Sequence, residues 1–372
     1  MDSRHGVAAL ALAACLAAHV SQPSPAVAQT ETFADRIQFH GYGEFHYNNP
    51  QIGTMDEDEI AETDVHRFVL GWTYEFTDAL RMDAEIDFEH AASEIELEYA
   101  HIDYDLNPTL ALRAGAVLMP VGPLNEFHEP PLYYSVERPY VENSIMPTTW
   151  QELGVGLVGR SGSLAYRGYL VTGLDAHGFS SLSGIREGRT HAAEAPAEDL
   201  AGVARIEYSG TSGLQLGASG YYGGADQGDS TLGDVTVAIV NGDARFRHSG
   251  FDLRGVIYKV LVDGDDLSAA QGEPIGDEMG WYAEAAYDLL RRDKEEGRRR
   301  SLFVFGRIEN FDTNDDVEGP FPANPAAERQ VITGGVSYLP IEKIAFKADV
   351  ENWEDDAEQD LTRFNLGAAF MF

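Results

Sequence analysis

The chain has 372 residues, with 26 basic and 62 acidic side chains and a formal charge of -36. A mean hydropathy of -0.26, with no apolar run of 18 or more residues, excludes a bundle of membrane-spanning helices. The acidic excess argues against nucleic acid as a partner.

The first element in chain order is an export signal. Arg4 precedes GVAALALAACLAAHV and then SQPSPAVAQ, which reads as a signal peptide over 1–28 with cleavage after Ala28. Leu12-Ala13-Ala14-Cys15 also fits a lipoprotein cleavage site, so lipidation at Cys15 stays open. Cys15 is the only cysteine. A chain cut at Ala28 has no disulfide, thiol catalyst or cysteine-based metal site.

From residue 36 onward the dominant period is two, the period of a strand. RIQFHGYGEFHY (36–47) and HRFVLGWTYEF (66–76) alternate apolar and polar residues. LRMDAEIDFEH (80–90) sets Leu80, Met82, Ala84, Ile86 and Phe88 against five charges. A helix would scatter those charges, whereas a strand gathers them on one face. Thirteen further strands follow near 94–106, 110–120, 151–159, 164–174, 200–208, 214–223, 234–247, 251–260, 279–290, 301–311, 329–339, 344–352 and 361–372. The apolar phase changes partway along 94–106 and 234–247, which predicts a β-bulge or a displaced boundary in each.

The connections alternate between short turns and long, often acidic loops, with a tight bend at 91–93 as the exception. Sixteen antiparallel strands, short turns on one side and long loops on the other are the pattern of an all-β transmembrane barrel. Lipid leaves no place for an open sheet edge, so the sheet must close. Residues 29–372 are expected to form this one barrel, with both termini at the short-turn, periplasmic side. A soluble secreted β protein would show the same alternation but has no need of the alternating turn lengths.

RIQFHGYGEFHYNNP, AGAVLMPVGPLNEFHEPPLYYSVERPYVENSIMPTTWQELGVGL (114–157) and YRGYLVTGLDA (166–176) resemble the phosphate-selective porin O and P-like family of Gram-negative outer membranes. The resemblance implies a sixteen-stranded barrel, commonly trimeric, that passes small solutes passively among lipopolysaccharide and outer-membrane lipid. It also implies that the ending at Phe372 is a signal read by the barrel-assembly machinery. The family label predicts anion capture by arginines and lysines. This sequence departs from that picture, with few lysines and acidic outer loops that would repel phosphate and draw in cations.

A porin lumen is wet, so the polar rows face inward. That assigns Arg67, Arg81, Arg113, Arg167, Arg205 and Arg307 to the inner wall, with Glu85 and Asp87 on the densest acidic strand. The longest structured connection, 121–150, carries five prolines and the ionisable Glu126, His128, Glu137 and Arg138. In general porins the third long loop folds inward and narrows the channel, so these residues, with Arg113 and Arg167, are the candidate constriction. The alternative is a loop packed on the wall or on a neighbouring subunit. His128, His40, His46 and His66 have no metal-binding spacing, so no transition-metal site is expected and nothing calls for a cofactor. A barrel enzyme would need a placed nucleophile motif such as G-x-S-x-G, which is missing. A plugged structural barrel would have to draw its plug from the loops.

Overall fold

The computed structural model describes residues 33–53, 55, 60–291, 300–317 and 319–372. The expected signal peptide, Cys15 and most of the charged turn at 291–300 lie outside the described residues. The chain divides into two compact units at Arg36/Ile37, and of the first only the helical turn Phe33–Arg36 is described.

The second unit is a closed barrel of sixteen strands. They are β1 (Ile37–Gly53), β2 (Glu62–Thr77), β3 (Leu80–Glu89), β4 (Glu94–Asn107), β5 (Leu110–Leu118), β6 (Gln151–Ser161), β7 (Leu164–Thr172) and β8 (Leu200–Thr211), then β9 (Leu214–Gly224), β10 (Thr236–His248), β11 (Phe251–Asp263), β12 (Gly276–Asp288), β13 (Ser301–Val317), β14 (Glu328–Ile341), β15 (Ile344–Asp355) and β16 (Asp360–Met371). Every neighbouring pair is antiparallel and consecutive, and β1 closes on β16 from Tyr42↔Met371 to Gly53↔Leu361. Closure gives each strand a hydrogen-bonded partner on both sides and leaves no open edge, the condition for crossing lipid.

Several strands run further toward the long loops than their alternation predicts. β1 reaches Gly53, β2 starts at Glu62 and β13 continues to Val317. Beyond the apolar band both faces of a strand are polar, so the period-two signal fades while the hydrogen-bond ladder continues. The outward row stays apolar. Phe76, Tyr104, Tyr208 and Phe372 are exposed beside the short turns, and Phe45 and Tyr222 are exposed toward the long loops. These are the two aromatic girdles a bilayer interface favours. Phe372 donates its backbone N–H to Gly41 (2.9 Å) and its ring lies near that of Phe370, so the last residue is tied into the β1–β16 seam.

The two expected phase changes have different causes. In β4 the register with β3 shifts between Glu85↔Tyr99 and Ile86↔Leu97, so Glu98 is the extra residue of a bulge. Ile95 and Leu97 before it, and Ile102 and Tyr104 after it, are all exposed on the outer row. In β10 the register is unbroken on both sides. Val237 and Ile239 point inward and are fully buried, so the expectation of a bulge or displaced boundary there is corrected. They join a hydrophobic core inside the barrel. Inward residues of β7 to β11, including Val171, Val203, Tyr221, Val256 and Val260, meet Leu174, Phe179, Ile185, Leu232, Leu267 and Ile275 from the long connections.

Candidate functional site: the loop across the lumen

The connection 119–150 enters the barrel and crosses it. Its neck is closed by Met119 N–H on the Trp150 carbonyl (2.9 Å). Asn125 doubles that closure. Its Nδ2 donates to the carbonyls of Met119 and Trp150, both at 2.8 Å, and its Oδ1 accepts from Trp150 N–H at 2.8 Å. Gly122 has φ +70°, and a Cβ there would stand 1.8 Å from the Tyr258 hydroxyl, so only glycine lets the loop turn this close to β11. Pro130 and Pro131 open a 3-10 turn and Pro139 precedes the short helix Tyr140–Ser144. Gly280 of β12 admits that helix, because a Cβ there would lie 2.7 Å from Ile145 Cγ1.

The loop is held from many sides. Tyr133 donates to Glu44 of β1 (3.2 Å), Tyr134 to Asp252 of β11 (2.6 Å) and Tyr140 to Glu351 of β15 (2.8 Å). Val136 N–H reaches Asp349 (2.6 Å) and Val141 N–H reaches Glu309 (3.1 Å). Lys347 Nζ donates to the carbonyls of Pro130 and Ser135, both at 2.7 Å, and sits 3.8 Å from the centre of the Tyr133 ring. Glu142 is fully buried and accepts from Tyr258 (2.7 Å) and Tyr282 (3.4 Å). Burial pushes its carboxyl up to about 8, although the Tyr258 hydrogen bond opposes the rise. Glu137 goes the other way. Burial would raise it, but the His46 imidazole 3.1 Å away, with His66 and the Asn48 amide, holds it far below the usual carboxylate range.

Two arginines from the next long connection fasten the C-terminal limb of the loop, just before its neck. Arg186 Nη1 donates to the carbonyls of Asn143 (2.5 Å) and Thr148 (3.1 Å), and Arg189 Nη1 to those of Pro147 (2.9 Å) and Thr149 (3.0 Å). Burial and the neighbouring guanidiniums of Arg189 and Arg138 lower Arg186 to about 10, a sign of crowded cations. Chain order gave no hint of these residues, since backbone carbonyls carry no sequence signal.

The residues singled out from the sequence fall into three groups. Along the β1–β5 wall, Arg67 is buried against Glu44 (2.7 Å) and over the Tyr42 ring (5.3 Å). Arg81 and Arg113 converge on Asp103, each at 2.7 Å. Glu85 accepts from Tyr99 (3.3 Å), with His40 Nε2 at 3.2 Å. Asp87 is buried, and neither carboxylate oxygen has a hydrogen-bond partner among the described residues. On the opposite wall, Arg167 joins Glu126 of the loop (2.5 Å) to Glu207 (2.9 Å). Arg205 joins Glu207 (3.0 Å) to Asp243 (2.8 Å), and Arg307 holds Glu309 (2.6 Å) and Ser135 of the loop (2.5 Å). Within the loop, His128 binds the Asn125 carbonyl through Nδ1 (2.9 Å) and points Nε2 toward Glu98 (3.7 Å). Arg138 keeps one buried guanidinium nitrogen without a hydrogen-bond partner among the described residues.

The loop separates two clefts. One of about 440 Å³ lies on the long-loop side, lined by His66, Glu89, Glu96, Glu137, Arg138, Arg186, Arg189 and His191. The other, about 360 Å³, lies on the short-turn side under Leu124, Phe127 and Leu132, with Arg205, Glu207, Asp243 and Arg254 on its walls.

No family model matches the chain. Among solved structures its fold is similar to the outer membrane channel DcaP of Acinetobacter baumannii (TM-score 0.61, 13% identity, covering 90% of this chain and 97% of that one). OprB of Pseudomonas putida is comparably similar (0.60, 8%, 91% and 94%), as is a trimer form of OmpT of Vibrio cholerae (0.57, 11%, 90% and 99%). In sequence, the chain is 32% identical over 363 residues to an uncharacterized protein of Aquifex aeolicus (strain VF5), which covers 91% of this chain and 81% of that protein. The barrel is thus built on the fold of the outer-membrane porins, and the protein belongs to the same family as the Aquifex aeolicus chain.

Proposed function

We propose that the protein is a passive channel for small hydrophilic or ionic solutes in a Gram-negative outer membrane. The short turns and both termini face the periplasm, and the long loops meet lipopolysaccharide and the outside. The observation that carries this reading is the 119–150 loop, held across the lumen by both walls with a cleft above it and a cleft below. In this reading Glu126, His128, Glu137 and Arg138 of the loop, facing Arg67, Glu85, Asp87, Arg113, Arg167 and Arg205, form the constriction. A trimer form of the fold-similar OmpT supports a homotrimer.

Charge at a narrowing sets selectivity by its local field. The chain carries 62 acidic against 26 basic residues, and acidic runs recur in its long loops. This excess favours cations at low salt, and screening removes the preference at high salt. Arg138, with Arg186 and Arg189 beside it, supports a second reading, in which the outer cleft favours anions such as phosphate. Reversal potentials across a planar bilayer at low and high KCl separate the two. The first reading expects ohmic single channels with a cation preference that fades as salt rises. A strong anion preference at low salt would sink it in favour of the second, and absence of conductance would sink both.

A further inference from the structure

At the long-loop rim, three metal-ligating groups meet that are far apart in the chain. Asp64 and His66 lie two residues apart on β2, and His66 is the extra residue of a bulge, since the β1 register jumps from Glu44↔Arg67 to Phe45↔Val65. His90 comes from the bend between β3 and β4. Both Nδ1 atoms converge on one oxygen. His90 Nδ1 lies 2.7 Å and His66 Nδ1 3.2 Å from Asp64 Oδ2. The two imidazoles stand edge to face at 85°, with centroids 5.6 Å apart. A tetrahedral site with metal–ligand bonds near 2.0–2.1 Å sets neighbouring donors about 3.3 Å apart; the His66–Asp64 separation matches that, the His90–Asp64 pair at hydrogen-bond length must open by about half an ångström, and all three ligand atoms lie within 4.8 Å of one another.

The backbone gives an independent sign. His90, Ala91 and Ala92 take φ of 48°, 57° and 69°, three consecutive non-glycine residues in the left-handed region. Such strain persists only where the surroundings hold it, and it gathers at functional sites. Here it presents His90 to Asp64. The two other groupings of this kind fit an ion less well. His46 stacks face to face on His66 (4.3 Å, 12°), so one ion cannot lie in both ring planes, and its two nitrogens already face Glu44 and Glu137 at 3.1 Å. In the grouping of Asp83, His101 and Asp103, the Asp103 carboxylate is taken by Arg81 and Arg113.

We propose that Asp64, His66 and His90 form a binding site for a divalent first-row transition-metal ion, with zinc as the reference probe. Two imidazoles and a carboxylate are the donor set of such ions, and the partial exposure of all three groups leaves coordination positions for water. The site does not depend on the channel reading, because it stands on the rim and requires no conductance.

The test uses the full barrel folded in detergent without a polyhistidine tag. Calorimetric titration with zinc should give one ion per chain. D64N and H90A should each weaken binding roughly ten-fold or more. The control H177A removes an exposed imidazole that also sits between carboxylates, those of Asp175 and Asp229, and should change nothing. Cobalt(II) bound to the unaltered protein should show the visible bands of a nitrogen- and oxygen-ligated tetrahedral ion, which keeps the test decisive if a variant fails to fold. Unchanged zinc affinity in folded D64N and H90A, loss of binding in H177A, or absence of those cobalt bands would each overturn the assignment.

Discussion

The two sides of the inner wall obey different chemistry. From β1 to β5 the inward row is charged: Glu44, Arg67, Glu85, Asp87 and Asp103 are buried in ion pairs, hydrogen bonds or polar surroundings. From β7 to β11, toward the long loops, the same row is Val171, Val203, Val237, Ile239, Val256 and Val260, covered by apolar residues of the long connections. A strand facing the lumen is therefore polar only where water reaches it. Where a loop fills the lumen, the inner row becomes part of a hydrophobic core like that of a soluble protein.

The contrast can be broken hardest on a single strand. Ile239→Asp places an unpaired charge in the apolar side and should cost about 3–5 kcal/mol. Asn241→Asp, one inward position further along β10, loses the Nδ2 bond to the Ile257 carbonyl (3.2 Å) but meets the Arg205 guanidinium 3.3 Å from its Oδ1, so it should cost clearly less than Ile239→Asp. The temperature at which each barrel loses its compact gel mobility measures both, and equal losses would refute an apolar filling. Next in size is the fastening of the loop. Removing Arg186 and Arg189 together frees carbonyls that border the outer cleft, where water can replace the lost donors. Single channels of that double variant should be larger and noisier, while thermal stability of the barrel changes little.

A third effect depends on pH. In the folded state Glu142 is raised to about 8, so between about 4.5 and 8 the folded protein binds more protons than the unfolded one. Stability therefore falls as pH rises through that window, by up to about 1.4 kcal/mol per unit. Glu142→Gln keeps an acceptor for Tyr258 and should flatten this part of the pH–stability curve. A curve identical to that of the unaltered protein would show that Glu142 is ionised in place. The smallest effect belongs to the charged side. Asp87 is buried with neither oxygen hydrogen-bonded among the described residues, which favours its neutral form, so Asp87→Asn should leave the low-salt reversal potential nearly unchanged and the loop seated, and a shift toward neutrality would put an ionised Asp87 beside the ion path.

The charged side was the more legible of the two. Leu80 to Glu89 alternates without a break and forms β3 as expected, with Glu85 and Asp87 buried, because neighbouring residues of one strand decide that pattern. The inserted Glu98 was legible for the same reason, as a local change of phase. An identical change of phase in β10 meant something else, and no local rule separates a bulge from an inward apolar patch. Asn125, Arg186 and Arg189 left no trace, since their partners are carbonyls that any residue type could supply. The His66–Asp64–His90 convergence was hidden because the rest of β2 and all of β3 stand between the ligands in sequence.

By itself, then, the sequence determined the strands, their number, their antiparallel order and the apolar outer row, all of which follow from a period of two and the rule that lipid permits no unpaired backbone. Tertiary structure decided which part of the lumen is dry, how the 119–150 loop is seated and which charges meet. Those outcomes depend on contacts between residues far apart in the chain, and burial alone turns the same inward row into an ion-paired wall on one side and a packed core on the other.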